Sequence, residues 1–120
     1  MSDELWKLLR ETAEVQRMIE ALRHSDQAGT TTPEQEREYL LRRAVLAQRH
    51  LAAAELTGSD PADAASDAQR TALTLWEHDA LHGSTGGPIQ ATDLAWNITN
   101  VREYVRQEAV EAERTQKPKE

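Results

Sequence analysis

Three short stretches of this chain share one local arrangement. Thr32-Pro33-Glu34-Gln35, Asp60-Pro61-Ala62-Asp63 and Gly87-Pro88-Ile89-Gln90 each place a potential cap, a proline and then a polar acceptor in succession. Proline is tolerated at the first position of a helix, where its missing N–H would have no partner, and it pushes the preceding residue out of the α region. Each stretch therefore predicts a helix start. With the N-terminal segment they divide the chain into four helices, which constrains the fold more than any other feature of the sequence.

The spacing of apolar residues fills in the four segments. Leu5, Leu8, Thr12, Val15, Ile19 and Leu22 alternate steps of three and four, the seam of a bundle helix predicted over residues 3–24, with a polar loop over 25–32. The second helix, 33–57, opens with a Thr-x-x-Gln capping box and closes at Gly58. Its apolar residues cover a wide face, Leu40, Leu41, Ala44, Val45, Ala47, Leu51 and Ala52, flanked by Tyr39, Leu46 and His50, so it is expected to touch two neighbours. The third helix is predicted over 61–82 and the fourth over 88–114. The seam of the fourth is Leu94, Ile98, Val101, Val105 and Ala112. Similar helix lengths and short links predict an all-α, four-helix up-down-up-down bundle in one domain, 1–114, followed by a flexible tail, 115–120. The alternative is an intertwined helical homodimer in which two chains complete each other's cores. The five rings, Trp6, Tyr39, Trp76, Trp96 and Tyr104, leave a core made mostly of Ala and Leu, which keeps that alternative open.

Charge narrows the partners. The 21 acids against 14 bases give a net charge of −7. Both halves of the chain are acidic, and the strongest basic cluster is only Arg42-Arg43. Nucleic-acid binding draws on clustered Lys and Arg that release counterions, so this distribution argues against DNA or RNA and for a protein partner, whether a second copy or a basic protein. There is no cysteine, which removes disulfides, thiolate ligands and thiol nucleophiles. The acidic start Met1-Ser2-Asp3-Glu4 does not resemble a secretory leader, and no apolar run matches the thickness of a bilayer. The expected location is cytoplasmic.

Candidate chemistry concentrates at Trp76-Glu77-His78-Asp79-Ala80-Leu81-His82. His78 and His82 are four apart and share a helix face, so both could reach one divalent metal ion, completed by His50 or by Asp79. The pair superficially resembles the HExxH pattern of zinc proteases. However, aspartate replaces the glutamate, and no third ligand follows downstream, so the zinc-protease reading is set aside. The plain reading is a histidine pair suited to a helix C-terminus. Asp79 falls under the apolar arc of Ala65, Ala68, Ala72, Leu75 and Trp76. Its carboxylate is therefore expected to be at least partly buried and to need a partner: His82, Arg43 or another cation of the second helix. The link Gly83-Ser84-Thr85-Gly86-Gly87 before a helix start has the look of a phosphate cradle, but it lacks the Gly-Lys-Ser/Thr ending and reads better as a flexible hinge or a tight interhelical turn.

Trp96 offers a different lead. On a helix over 88–114 it stands about 160° from Ile98, with Ile89 and Val110 near it, which marks a second apolar face of the kind found at protein interfaces. The plain alternative is that Trp96 folds back on the link or beside Trp6. The expectation is thus a non-catalytic helical interaction or accessory module, self-associating, with Trp96, Ile89, Val110, Tyr39 and Leu46 as interface candidates and no cofactor. The competing expectation is a metal-binding bundle enzyme or sensor built on His78, His82, His50 and Asp79.

Overall fold

The computed structural model describes residues 3–83 and 87–116, leaving aside the side chains of Glu4, Thr115 and Gln116. The described residues form four helices, α1 Asp3–Ala28, α2 Pro33–Thr57, α3 Ala62–His82 and α4 Val101–Gln116, packed as an all-α bundle without a strand. No helix among them is long and apolar enough to cross a membrane.

Where helix ends are set by local chemistry, they fall as the sequence predicts. Thr32 caps α2 through its hydroxyl, which accepts from the Gln35 amide at 3.2 Å, while the Gln35 side chain accepts from the Thr32 amide at 2.9 Å. The helix stops at Gly58 in the left-handed region, φ 72°. Asp60 accepts from the amide of Ala62 at 3.0 Å, so α3 begins one residue after Pro61 and ends at Gly83. Helix α1 runs four residues past the predicted end at 24, through Ala28, so the loop is shorter than expected. At the other terminus α4 continues through Gln116, two residues into the expected tail. The remaining tail, 117–120, lies outside the described residues, as does 84–86 of the expected hinge.

The third proline does not start a helix. Residues 88–100 form a series of turns, and α4 begins only at Val101. The cause is side-chain competition for the backbone. Asp93 accepts from the Ala95 amide at 2.8 Å, Asn97 accepts from the Thr99 amide at 2.8 Å, and Asn100 accepts from the Asn97 amide at 2.8 Å while its own amide group donates to the Ala95 carbonyl at 2.7 Å. Gln107 then holds Ile89 from a distance: its side chain donates to the Ile89 carbonyl at 2.9 Å and accepts from the Ile89 amide at 3.3 Å. Leu94 and Ile98, expected in the seam of the fourth helix, are 98% and 66% exposed. Val101 and Val105 are buried as expected, and Ala112 packs on the core edge.

This turn segment also reverses the direction of the last helix. Arg37 meets Asp79 and Glu108, and Gln48 donates to the Arg102 carbonyl, so both α3 and α4 run antiparallel to α2. They are therefore parallel to each other. Residues 88–100 travel back along α3 to make this possible: Gly87 lies at Glu108, Trp76 donates to the Ala91 carbonyl at 2.8 Å, and Gln69 donates to the Ile98 carbonyl at 2.8 Å. The short link and antiparallel last pair expected of an up-down-up-down order give way to a crossover strap.

Helix α2 is the hub. It packs against all three other helices, one more than its apolar width predicts, whereas α1 rests on α2 alone. The core joins Leu41 and Ala44 of α2, Ala72 and Leu75 of α3, Ala91 of the strap, and Val101, Tyr104 and Val105 of α4.

Candidate functional site

At one end of the core sits a buried polar cluster. Asp79 is fully buried, as its place under the apolar arc of α3 predicts, and its partner is a helix-2 cation, Arg37 rather than Arg43. The Arg37 guanidinium grips Asp79 with two hydrogen bonds, Nε to Oδ1 at 2.8 Å and Nη2 to Oδ2 at 3.1 Å, and its Nη2 also donates to Glu108 Oε1 at 2.5 Å. Tyr104 donates its hydroxyl to Asp79 Oδ2 at 2.5 Å. Glu108, equally buried, takes the Gly87 amide at 3.0 Å and the Gln107 side-chain amide at 2.9 Å on its other oxygen. A Cβ at position 87 would collide with the side chains of Gln107 and Glu108, so the strap enters the cluster through a residue that has none.

The electrostatics of the cluster are those of a structural clasp. Burial alone would lower the Arg37 guanidinium, but its hydrogen bond to Asp79 and the charges of Asp79, Glu108 and Tyr104 raise it above its ordinary value. Burial raises the Tyr104 phenol far above its ordinary value, reinforced by the hydrogen bond it donates to Asp79 and by the charges of Asp79 and Glu108, with Arg37 opposing. Tyr104 is therefore a fixed donor and Arg37 a fixed cation. Arg43 serves a second, more exposed pairing. It grips Asp67 through two hydrogen bonds of 3.0 Å, and Arg70 joins it. Burial would raise the Asp67 carboxyl, but these hydrogen bonds hold it below the usual carboxylate range.

The histidines are divided between two places. His78 is buried beside the clasp, its ring tilted against that of His82 with centroids 4.4 Å apart. Its nitrogens lie 3.6 Å from Asp79 Oδ1 and 3.8 Å from Glu36 Oε2, and neither makes a hydrogen bond among the described residues. His50 sits on the seam between α1 and α2, 3.3 Å from the Thr12 hydroxyl. Among the described residues, no group of three or more histidines and carboxylates is arranged to hold a metal ion.

The interface candidates are similarly dispersed. Trp96 lies in the strap rather than on a helix, so the outward helical face expected to carry it does not exist. It is half-buried, donates its indole N–H to the Ile89 carbonyl at 3.3 Å, and packs edge-on against Tyr104 at 5.2 Å. Ile89 and Val110 are exposed, Tyr39 is half-buried, and Leu46 is buried.

Sequence reasoning missed a groove on the surface. Because α1 touches only α2 among the described helices, a groove of about 640 Å³ remains between α1 and α4 with α2 as its base. Val15, Leu41, Val45, Leu46, Ala109 and Ala112 give it an apolar floor. Helix α1 is tied to α2 by ion pairs at its edge, Glu11 with Arg49 and Glu14 with Arg42, and Val15 is its single buried apolar residue among those described. Arg37, one-fifth exposed, connects the two features by reaching from the groove wall into the clasp. Family models, curated proteins and solved structures were all compared with the chain, and none matches it.

Proposed function

We propose that this chain is a non-catalytic helical interaction module that self-associates, with the groove between α1 and α4 as its contact surface. The observation that carries this reading is that groove: an apolar floor shared by three helices and left without a fourth wall. Contiguous apolar concavities rimmed by charge are the usual mark of a partner surface. The carboxylate beside the histidine pair is already saturated, since both oxygens of Asp79 are taken by Arg37 and Tyr104. Helix α1 has little of its own to hold it, because an isolated helix draws most of its stability from packing.

The test is sedimentation velocity on untagged protein beside Ala109→Arg, which puts a long cation on the groove wall. The reading predicts an associated species for the parent chain and its loss in the variant at unchanged helicity. Association that survives Ala109→Arg would overturn it. Native mass spectrometry before and after a chelator completes the experiment, since the reading predicts the same subunit count in both.

A further inference from the structure

We infer that the groove is filled by α1 of a second copy of this chain, lying antiparallel to the resident α1; this rests on the interaction reading above and specifies its geometry. The chain carries both halves of the contact. The socket is the apolar floor of the groove. The plug is the outward side of α1, where Trp6 and Leu9 are 54% and 51% exposed. By the 3.6-residue period, Trp6 stands about 160° from Leu8 and Leu9 about 100° from it, so both turn away from the seam that α1 shares with α2. A helix that shows apolar residues on two sides is built to be covered on both.

Charge then selects the occupant and its direction. The groove has an acidic end, formed by Glu34 and Glu38 at the start of α2 and Glu113 near the end of α4. Its other end carries Lys7 and Arg10 of α1, beside Arg49. None of Lys7, Arg10, Glu34, Glu38 and Glu113 forms an ion pair with another described residue, whereas the arginines between them are already engaged: Arg42 by Glu14, Arg49 by Glu11, and Arg37 by Asp79 and Glu108. A two-fold axis across the groove turns the cationic end of one copy onto the acidic end of the other. Lys7 and Arg10 of each chain then meet Glu34, Glu38 and Glu113 of its mate, and the same patch serves both subunits, as a closed dimer requires. A chain with net charge −7 repels its own copies at long range, so association needs such a local match.

The absence of cysteine makes the test clean. A chain carrying Leu9→Cys is mixed with a chain carrying Ala112→Cys under mild oxidation, and the product is read by mass without reductant. The geometry predicts a disulfide joining one chain of each kind. Charge reversal gives a second, independent reading. Lys7→Glu with Arg10→Glu weakens the dimer by about tenfold or more through like-charge juxtaposition, and mixing that chain with Glu34→Lys/Glu38→Lys restores association. A dimer lost in Ala109→Arg but giving neither the mixed disulfide nor the rescue would overturn α1 as the occupant and leave the groove as the contact surface. A dimer indifferent to Ala109→Arg would overturn both. A monomer up to the solubility limit would overturn both the self-association reading and the second copy as occupant.

Discussion

The two sides of α2 are held by different means. On one side α3, α4 and the strap close around Leu75, Val101, Tyr104 and Val105, with Arg37, Asp79, Glu108 and Gly87 fastened together at one end. On the other side α1 lies on α2 through a partly buried seam and two exposed ion pairs, and a groove remains open beside it. On the first side the buried carboxylates Asp79 and Glu108 join several elements at once and are satisfied. On the second side Trp6 and Leu9 of α1 remain exposed. The contrast locates the fastening of this chain in the α2/α3/α4 unit, and on the proposed reading the contact surface lies at α1.

The strongest way to break this contrast is Arg37→Ala. It leaves two buried carboxylates without their cation, and the expected loss is about 3–5 kcal/mol of stability, read by chemical denaturation. A loss of the size typical of an exposed pair would mean that water reaches the clasp and that the two sides do not differ in kind.

Gly87→Ala probes the strap's entry into the clasp. Overpacking of this sort costs about 1–3 kcal/mol, and an unchanged melting temperature would show that the strap shifts freely.

Tyr104→Phe removes one hydrogen bond to a buried carboxylate, for an expected cost of about 1.5–3 kcal/mol. It also gives a pH signature. The folded phenol is held above its ordinary value, so the contribution it makes is fully present below about pH 10, the ordinary tyrosine range, and declines as pH rises through the folded value. Stability of the parent chain is therefore expected to fall above that pH with a steeper slope than that of Tyr104→Phe. Identical slopes would rule the linkage out.

The smallest effect belongs to Asp67→Asn, at a partly exposed site, with about 0.2–1 kcal/mol expected. Because the folded carboxyl is held low, its contribution is present above the ordinary aspartate range and disappears as pH falls through the folded value. The parent and variant should converge in strong acid, and a gap that persists there would contradict the assignment.

How much of this was legible in the sequence depends on how local the chemistry is. Thr32 with Gln35 and the stop at Gly58 are decided within a few residues, and the sequence predicts them. The burial of Asp79 follows from the apolar arc on its own helix, and the need for a second-helix cation follows from burial. That the cation is Arg37 depends on the packing of α2 against α3, which no spacing within one helix encodes. Pro88 misleads because Asp93, Asn97 and Asn100 offer the backbone better partners than helix carbonyls, while Gln107 fixes Ile89 across a sequence gap. Glu108 carried a signal that went unread. It stands four residues after Tyr104, seven after Val101 and four before Ala112, in the register of the α4 core. A carboxylate at such a position implies a buried cation to meet it. The groove had no comparable signal, since it arises from contacts that α1 does not make.

Hydrogen exchange followed by mass spectrometry at increasing protein concentration tests the central claim most directly, because it reads the two sides of α2 separately in one sample. The account predicts that protection of α1 amides rises with concentration while that of α3 amides stays constant. Protection of α1 that is equal to α3 and unchanged from the most dilute sample to the most concentrated would contradict it.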